Sequence, residues 1–169
     1  MKKLSFRDDV LPLKNKIFRL ALRVTLNRAE AEDIVQDVLI RVWNRRDELG
    51  DVESIEAYSL TICRNLALDR AEKKGNSNIA LDEVPQPLSA DALPDQQLIQ
   101  RERLQMVERL FNTLPPPQRM VMQLRDVEGK SYKEIAEITG QSEEQVKVNL
   151  FRARRSIRLQ IEKIEAYGL

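Results

Sequence analysis

The chain of 169 residues carries 28 Lys and Arg against 27 Asp and Glu, a formal net charge of +1, with 42% hydrophobic and 33% charged residues. With five Gly, seven Pro and few β-branched runs, it suits an all-α protein of one ordinary domain or two small ones. It has a single cysteine, Cys63, and no histidine, which excludes an intramolecular disulfide, a Cys zinc site and imidazole acid–base chemistry.

No window approaches 18 consecutive apolar residues, and no apolar leader follows Lys2 and Lys3. A reducing, cytoplasmic setting without direct membrane insertion is expected, and no metal or cofactor is implied. The net charge conceals an uneven distribution. Residues 1–76 hold 15 basic and 13 acidic side chains, residues 77–98 hold none and four, and residues 99–169 hold 13 and 10. An acidic connector therefore separates two mildly basic halves.

In the first half the spacing predicts three helices. One covers about Asp8–Leu26, with Val10, Leu13, Ile17, Leu20, Ala21 and Val24 recurring every three or four residues. Asn27 caps the second, with Glu30 three residues on, and this helix runs to about Arg46. Its apolar stripe is Ala31, Ile34, Val35, Val38, Leu39 and Val42, with Trp43 expected to join it. After a loop at Asp47–Glu53, Ser54 caps a third helix that reaches about Lys74.

The strongest break runs from Gly75 to about Pro94, where Pro85, Pro87 and Pro94 are scattered among Asp, Ser and Ala. The expected organisation is thus a module at residues 1–75, an acidic flexible linker at 76–95 and a second module at 96–169. In that second module a helix spans about Gln96–Thr113. Leu114-Pro115-Pro116-Pro117 breaks it and starts another, which continues to about Asp126. Ser131–Glu134 and Ser142–Gln145 are two capping boxes 11 residues apart, the first opening a short helix that ends at Gly140, the second a long helix over about Glu143–Ala166.

Those two helices have the parts of a helix-turn-helix: small Ala136 at the crossing, Gly140 in the turn, and Ile135, Ile138 and Val146 as apolar anchors. On a wheel of 100° per residue, Val146, Leu150, Ala153, Ile157, Ile161 and Ile164 share one stripe. Lys147, Val148, Phe151, Arg152 and Arg155 lie opposite, and no acid occurs between Gln145 and Ile161. Phe151 could pack on a neighbouring module surface. Alternatively, a helix seated in the DNA major groove with its cations on phosphates accounts for both the phenylalanine and the missing acids.

Leu114-Pro-Pro-Pro-Gln-Arg, the run from Asp126 through Ser131-Tyr-Lys-Glu-Ile-Ala to Gly140, and Val146 with Leu150-Phe-Arg-Ala-Arg resemble region 4 of extracytoplasmic-function (group 4) sigma factors of the sigma-70 superfamily. Ala31-Glu-Asp-Ile-Val-Gln-Asp-Val-Leu-Ile-Arg-Val-Trp is similar to region 2.2. Ala57-Tyr with Ile62-Cys-Arg-Asn-Leu-Ala-Leu-Asp-Arg is similar to regions 2.3 to 2.4.

The resemblance implies an alternative sigma factor that binds core RNA polymerase and directs promoter-specific initiation, and not an enzyme. Asp33, Gln36, Asp37, Ile40 and Arg41 would grip the coiled coil of the β′ clamp. Region 4 would meet the β flap and bind the minus-35 element through Lys147, Val148, Phe151, Arg152 and Arg155, with Ser131 and Ser142 at the helix starts. Asp51, Ser54, Tyr58, Arg64, Asn65, Arg70 and Lys73 would read and melt the minus-ten element, with Tyr58 open between core and DNA. The linker would thread the RNA exit path. An anti-sigma factor, of the membrane-bound FecR-like kind common among such relatives, is an implied partner. Cys63 should be a small buried residue.

Many relatives carry Ser or a second basic residue where Val148 and Asn149 stand, so base-specific minus-35 contacts are not carried over. Two rivals fit less well. A LuxR-type regulator would need strands upstream, and a DNA-rearranging enzyme would need a nucleophile with clustered arginines or a metal-binding carboxylate triad. The two-module organisation predicts that limited proteolysis cuts first between Gly75 and Pro94. Fragments with termini elsewhere would show that organisation to be wrong.

Overall fold

A computed structural model describes residues 4–52, 54–75 and 95–167, all within or between helices and with no strand among them. Residues 76–94 of the expected linker and the side chain of Asp51 lie outside the described residues, and Asp95, expected to end the linker, begins the next helix. The first module begins with a widened helical turn at Phe6–Val10, capped by Ser5, whose hydroxyl accepts the Asp8 amide at 3.2 Å. A single tighter turn follows at Leu11–Leu13, and α1 spans Lys14–Thr25. One continuous helix from Asp8 was expected. Pro12 is the reason for the difference, because it brings no amide to the ladder and its ring crowds the carbonyl four residues back.

Leu26 ends α1 in the left-handed region, at φ 55°, and its amide donates to Leu22 O at 2.8 Å. That conformation costs a non-glycine residue about 1–2 kcal/mol. It lets Asn27 begin the next helix at once: the Asn27 side chain accepts the Glu30 amide at 2.9 Å, and α2 runs Arg28–Asn44. Ala31, Ile34, Val35, Val38 and Val42 are buried as the periodicity predicts. Trp43 is not. It is 40% exposed, edge-on to Phe6 at 5.3 Å, with the Arg46 guanidinium 4.3 Å from its ring centre. Ser54 accepts the Ala57 amide at 3.0 Å and opens α3, Ile55–Gly75.

In the second module, α4 spans Asp95–Asn112 and α5 spans Pro116–Met122, the latter started by prolines that need no amide partner. A widened turn at Gln123–Val127 leads to Gly129, at φ 71°. Both capping boxes form. Ser131 and Glu134 exchange hydrogen bonds at 3.1 and 3.2 Å to open α6, Tyr132–Thr139, and Ser142 and Gln145 do so at 3.1 and 3.0 Å to open α7, Glu143–Ala166. Gly140 turns between them at φ 71°, its amide donating to Ala136 O.

The four buried members of the α7 stripe serve two clusters. Val146 and Leu150 join Ile135, Ile138, Met120, Val121 and Leu124, whereas Ala153 and Ile157 pack with Leu110, Phe111 and Leu114. Ile161 and Ile164 are only partly buried against the second cluster. Each fully buried Ile or Leu contributes about 1.5–3 kcal/mol.

The first of these clusters continues into Ile17, Leu20, Val24, Leu60 and Cys63 of the first module, so the two modules share a core. At their boundary Arg119 is 6% exposed. A guanidinium removed from water costs several kcal/mol unless its N–H groups find acceptors. Three carbonyls serve: Arg23 O at 2.8 Å, Val24 O at 2.6 Å and Leu114 O at 2.5 Å. Burial, and then the charge of Arg23, draw Arg119 down to about 10, so it remains a cation at neutral pH. Glu56 bridges Lys16, at 2.5 Å, and Lys130. Burial pushes its carboxyl up, but hydrogen bonds from Lys130 and Lys16 prevail and hold it below the ordinary glutamate range.

Cys63 is fully buried beneath α1, its thiol facing Ile17 O at 3.4 Å, and burial pushes it up to about 12. Its thiolate is therefore nearly absent at pH 8. A chromogenic disulfide reagent at pH 8 should label no thiol in the native protein and one in denaturant. Prompt native labelling would contradict this packing.

Candidate nucleic-acid interface

The helix-turn-helix keeps one face of α7 in solvent. Val146, Leu150, Ala153 and Ile157 turn inward, which leaves Lys147, Val148, Phe151, Arg152 and Arg155 outward. Phe151 is 61% exposed, so it does not pack on a module surface. Among the described residues neither Arg152 nor Arg155 meets a carboxylate within ion-pair distance. Ser131 and Ser142 are exposed, but their hydroxyls are occupied as helix caps, leaving the helix starts themselves to face outward.

Residues missed by the wheel complete this surface. Tyr132, Lys147, Leu150, Phe151, Arg154, Arg155 and Arg158 line a shallow groove beside α6. The Tyr132 ring lies 5.3 Å from Lys147 Nζ and 4.4 Å from the Arg125 guanidinium carbon. Arg154 is held by Asp126. Arg154 and Arg158 stand three and seven residues beyond Phe151, a helical interval within the range of the wheel that could have found them. Tyr132 carried no separate signal, because its position reads only as the start of a capped helix.

On α2 the ridge expected from sequence exists. Ile40 is 59% exposed, Gln36 points to solvent, and Asp37 receives Arg41 at 2.9 Å. Exposed Trp43, three residues on, lengthens the apolar strip. Asp33 at the other end accepts from Arg70 of α3 at 2.6 Å. A residue assigned to polymerase and one assigned to DNA are therefore partners across the α2–α3 seam.

The minus-ten candidates are more scattered. Tyr58 is half-buried and its hydroxyl accepts from Arg45 at 3.3 Å. Arg64 donates to Asn65 at 2.7 Å, Lys73 is exposed, and Ser54 caps α3. Thus Arg64, Asn65 and Lys73 share α3 with Arg70, while Ser54 and Tyr58 mark its start.

Among the described residues the chain is helical. A helix-turn-helix in one module exposes cations from its second helix over an acid-free stretch from Gln145 to Ile161, and the other module carries an exposed apolar ridge, features of a DNA-binding protein. The family model of Sigma-70 region 2 matches residues 10–77, and that of Sigma-70, region 4 matches residues 104–157. The ECF RNA polymerase sigma factor SigL of Mycobacterium tuberculosis is 30% identical over 149 residues, 88% of this chain and 84% of that protein. SigW of Bacillus subtilis, also an ECF sigma factor, is 28% identical over 169 residues, 95% of this chain and 90% of that one.

Among solved structures, the sigma factor RpoE in complex with the anti-sigma factor NepR from Bartonella quintana has the same fold. Its TM-score is 0.70 at 24% identity, over 93% of this chain and 96% of that chain. CnrH in complex with the cytosolic domain of CnrY has a TM-score of 0.65 at 19% identity, over 91% and 85%. The chain belongs to the extracytoplasmic-function RNA polymerase sigma factors, and it acts as an alternative sigma factor in transcription initiation. No helix among the described residues is long and apolar enough to cross a membrane.

Proposed function

We propose that this sigma factor reads a promoter with two faces while a third holds the polymerase. The observation that carries the proposal is the α7 surface, where an exposed phenylalanine stands among exposed cations on a helix segment without acids. A solvated helix face ordinarily interleaves both signs. In this reading α7 enters the major groove of the minus-35 element, with Lys147, Arg152 and Arg155 on phosphates and Phe151 and Val148 against base edges.

The module at residues 1–75 engages the minus-ten element through α3 and the loop before it. Asp51, Ser54, Tyr58, Arg64, Asn65, Arg70 and Lys73 are its contacts, and it stabilises an unstacked base without making or breaking covalent bonds. The protein is therefore a binding subunit in the cytoplasm and not an enzyme. The α2 ridge of Asp33, Gln36, Asp37, Ile40 and Arg41 docks on the β′ clamp coiled coil, and the second module, 96–169, meets the β flap. One solved protein of the same fold is in complex with an anti-sigma factor, and another with the cytosolic domain of a second protein. This chain is expected to have such a partner, of the membrane-anchored FecR-like kind.

Two experiments test the reading. Replacing Lys147, Arg152 and Arg155 together by Ala should lower the slope of log affinity against log salt by about 0.9 for each phosphate no longer neutralised, roughly 2.7 in all. An unchanged slope would remove α7 from the DNA. Ile40→Glu should abolish co-purification with core polymerase, and with it run-off transcription, while the helical circular dichroism stays that of the wild type. Normal co-purification would refute the dock.

A further inference from the structure

We propose that Val148 and Phe151 of α7 read thymine methyl groups, so that the minus-35 element this chain prefers carries thymines at neighbouring base pairs. The proposal rests on the reading of α7 as the helix in the major groove and concerns what that helix meets there.

Its first support is the layout of the outward face. On a wheel of 100° per residue the arc runs Lys147, Phe151, Arg155, Val148, Arg152, about 140° in all. Cations therefore stand at both edges of the arc, and the two apolar side chains lie inside it. Val148 is 46% exposed and Phe151 61%. Three residues advance a helix by about 4.5 Å, little more than one base-pair step of about 3.4 Å. A helix seated with its edges over the two phosphate backbones points both side chains at the groove floor, at neighbouring base pairs. Arg155 shares the arc but lies one turn beyond Phe151. Glu144 lies on it one turn nearer the helix start, where a carboxylate suits a base amine and not a methyl.

The second support is that the polar side chains nearby are committed elsewhere. An adenine is ordinarily read in the major groove by an asparagine or glutamine amide that bonds its N6 and N7 together. The first two turns of α7 hold two such amides, and both are engaged. Gln145 Oε1 accepts the Ser142 amide at 3.0 Å, closing the capping box. Asn149 is half-buried, and its Nδ2 donates to Gln141 Oε1 at 3.3 Å. Lys147 leans to the side, with Nζ 5.3 Å from the Tyr132 ring centre, and Arg154 is held by Asp126. An isopropyl group and a phenyl ring are left at the middle of the face.

The chemistry of the groove floor then selects the base. The one apolar substituent displayed there is the C5 methyl of thymine, set among hydrogen-bond donors and acceptors. A valine or phenylalanine pressed on a donor or acceptor strips its water and returns no hydrogen bond. Pressed on a methyl, it takes apolar surface of both partners out of water. An A·T pair is thus recognised from its thymine side, by groups that cannot bond to adenine.

Deoxyuridine lacks only that methyl, and 5-methylcytosine carries it on a different base, so the two isolate the contact. Duplexes would be selected from a pool randomised across the minus-35 stretch by RNA polymerase holoenzyme assembled with the full-length chain. The selected sequence should hold thymines at neighbouring base pairs, in either strand. Replacing each by deoxyuridine should weaken binding about fourfold, the factor expected for one methyl-sized group left in water. Val148→Ala and Phe151→Ala change exposed residues and should keep the wild-type circular dichroism. Each should erase the deoxyuridine penalty at one of the two positions and leave it at the other. Cytosine in place of either thymine should lower affinity, and 5-methylcytosine there should recover about fourfold. Indifference to deoxyuridine at every position, or penalties that persist unchanged in both variants, would overturn the proposal. If instead the holoenzyme keeps its salt slope when Lys147, Arg152 and Arg155 are replaced by Ala, α7 is not on the DNA, and the underlying reading has failed first.

Discussion

A guanidinium almost entirely removed from water is the interaction on which the arrangement of this molecule turns. Arg119 can be buried because it meets carbonyls that have no other donor among the described residues, two at the end of α1 and one where α4 gives way to α5. Each side answers a deficit in the other. The helix end lacks N–H groups, and the buried cation lacks acceptors. The same pairing fixes where α5 lies against α1, and with it the position of the helix-turn-helix relative to the three-helix module. The shared apolar core then follows, with Leu124, Ile135 and Ile138 closing over Ile17, Leu60 and Cys63.

Local interactions were readable in the sequence, and long-range ones were not. Asn27, Ser54, Ser131 and Ser142 each cap a helix through an amide three residues away, so a few adjacent letters suffice to place α2, α3, α6 and α7. The outward face of α7 was equally legible, since burial of Val146 and Leu150 settles by helical geometry which side Phe151 and Arg152 must take. Pro12 was readable in principle, but the apolar spacing on either side of it masked the break. Trp43 was misassigned because it continues the α2 stripe by one position, while Phe6, which meets it edge-on at the surface, comes from another segment, and Arg46 reaches its ring only from just beyond the end of α2. The partnership of Arg23 and Arg119 spans 96 residues and leaves no periodic trace.

The charge pattern explains how a chain of almost zero net charge can bind a polyanion. Acidic residues are not absent from the second module. Glu108, Asp126, Glu128 and Glu134 are each taken up by a cation or a helix start on another face: Glu108 with Arg23, Asp126 with Arg154, Glu128 with Arg19, and Glu134 in its capping box. What remains on the outward side of α7 between Gln145 and Ile161 is positive. Within a Debye length of about 8 Å at physiological salt, a phosphate backbone responds to that local surface and hardly at all to the sum over the chain.

The solitary thiol has a wider consequence. Cys63 is sealed under α1 and pushed up to about 12, and the chain contains no imidazole to titrate near neutrality. Neither mild oxidants nor ordinary shifts of cellular acidity can alter the charge or covalent state of such a molecule at its working surfaces. Contact with another macromolecule that holds the chain or lets it go would carry environmental information without calling on either group.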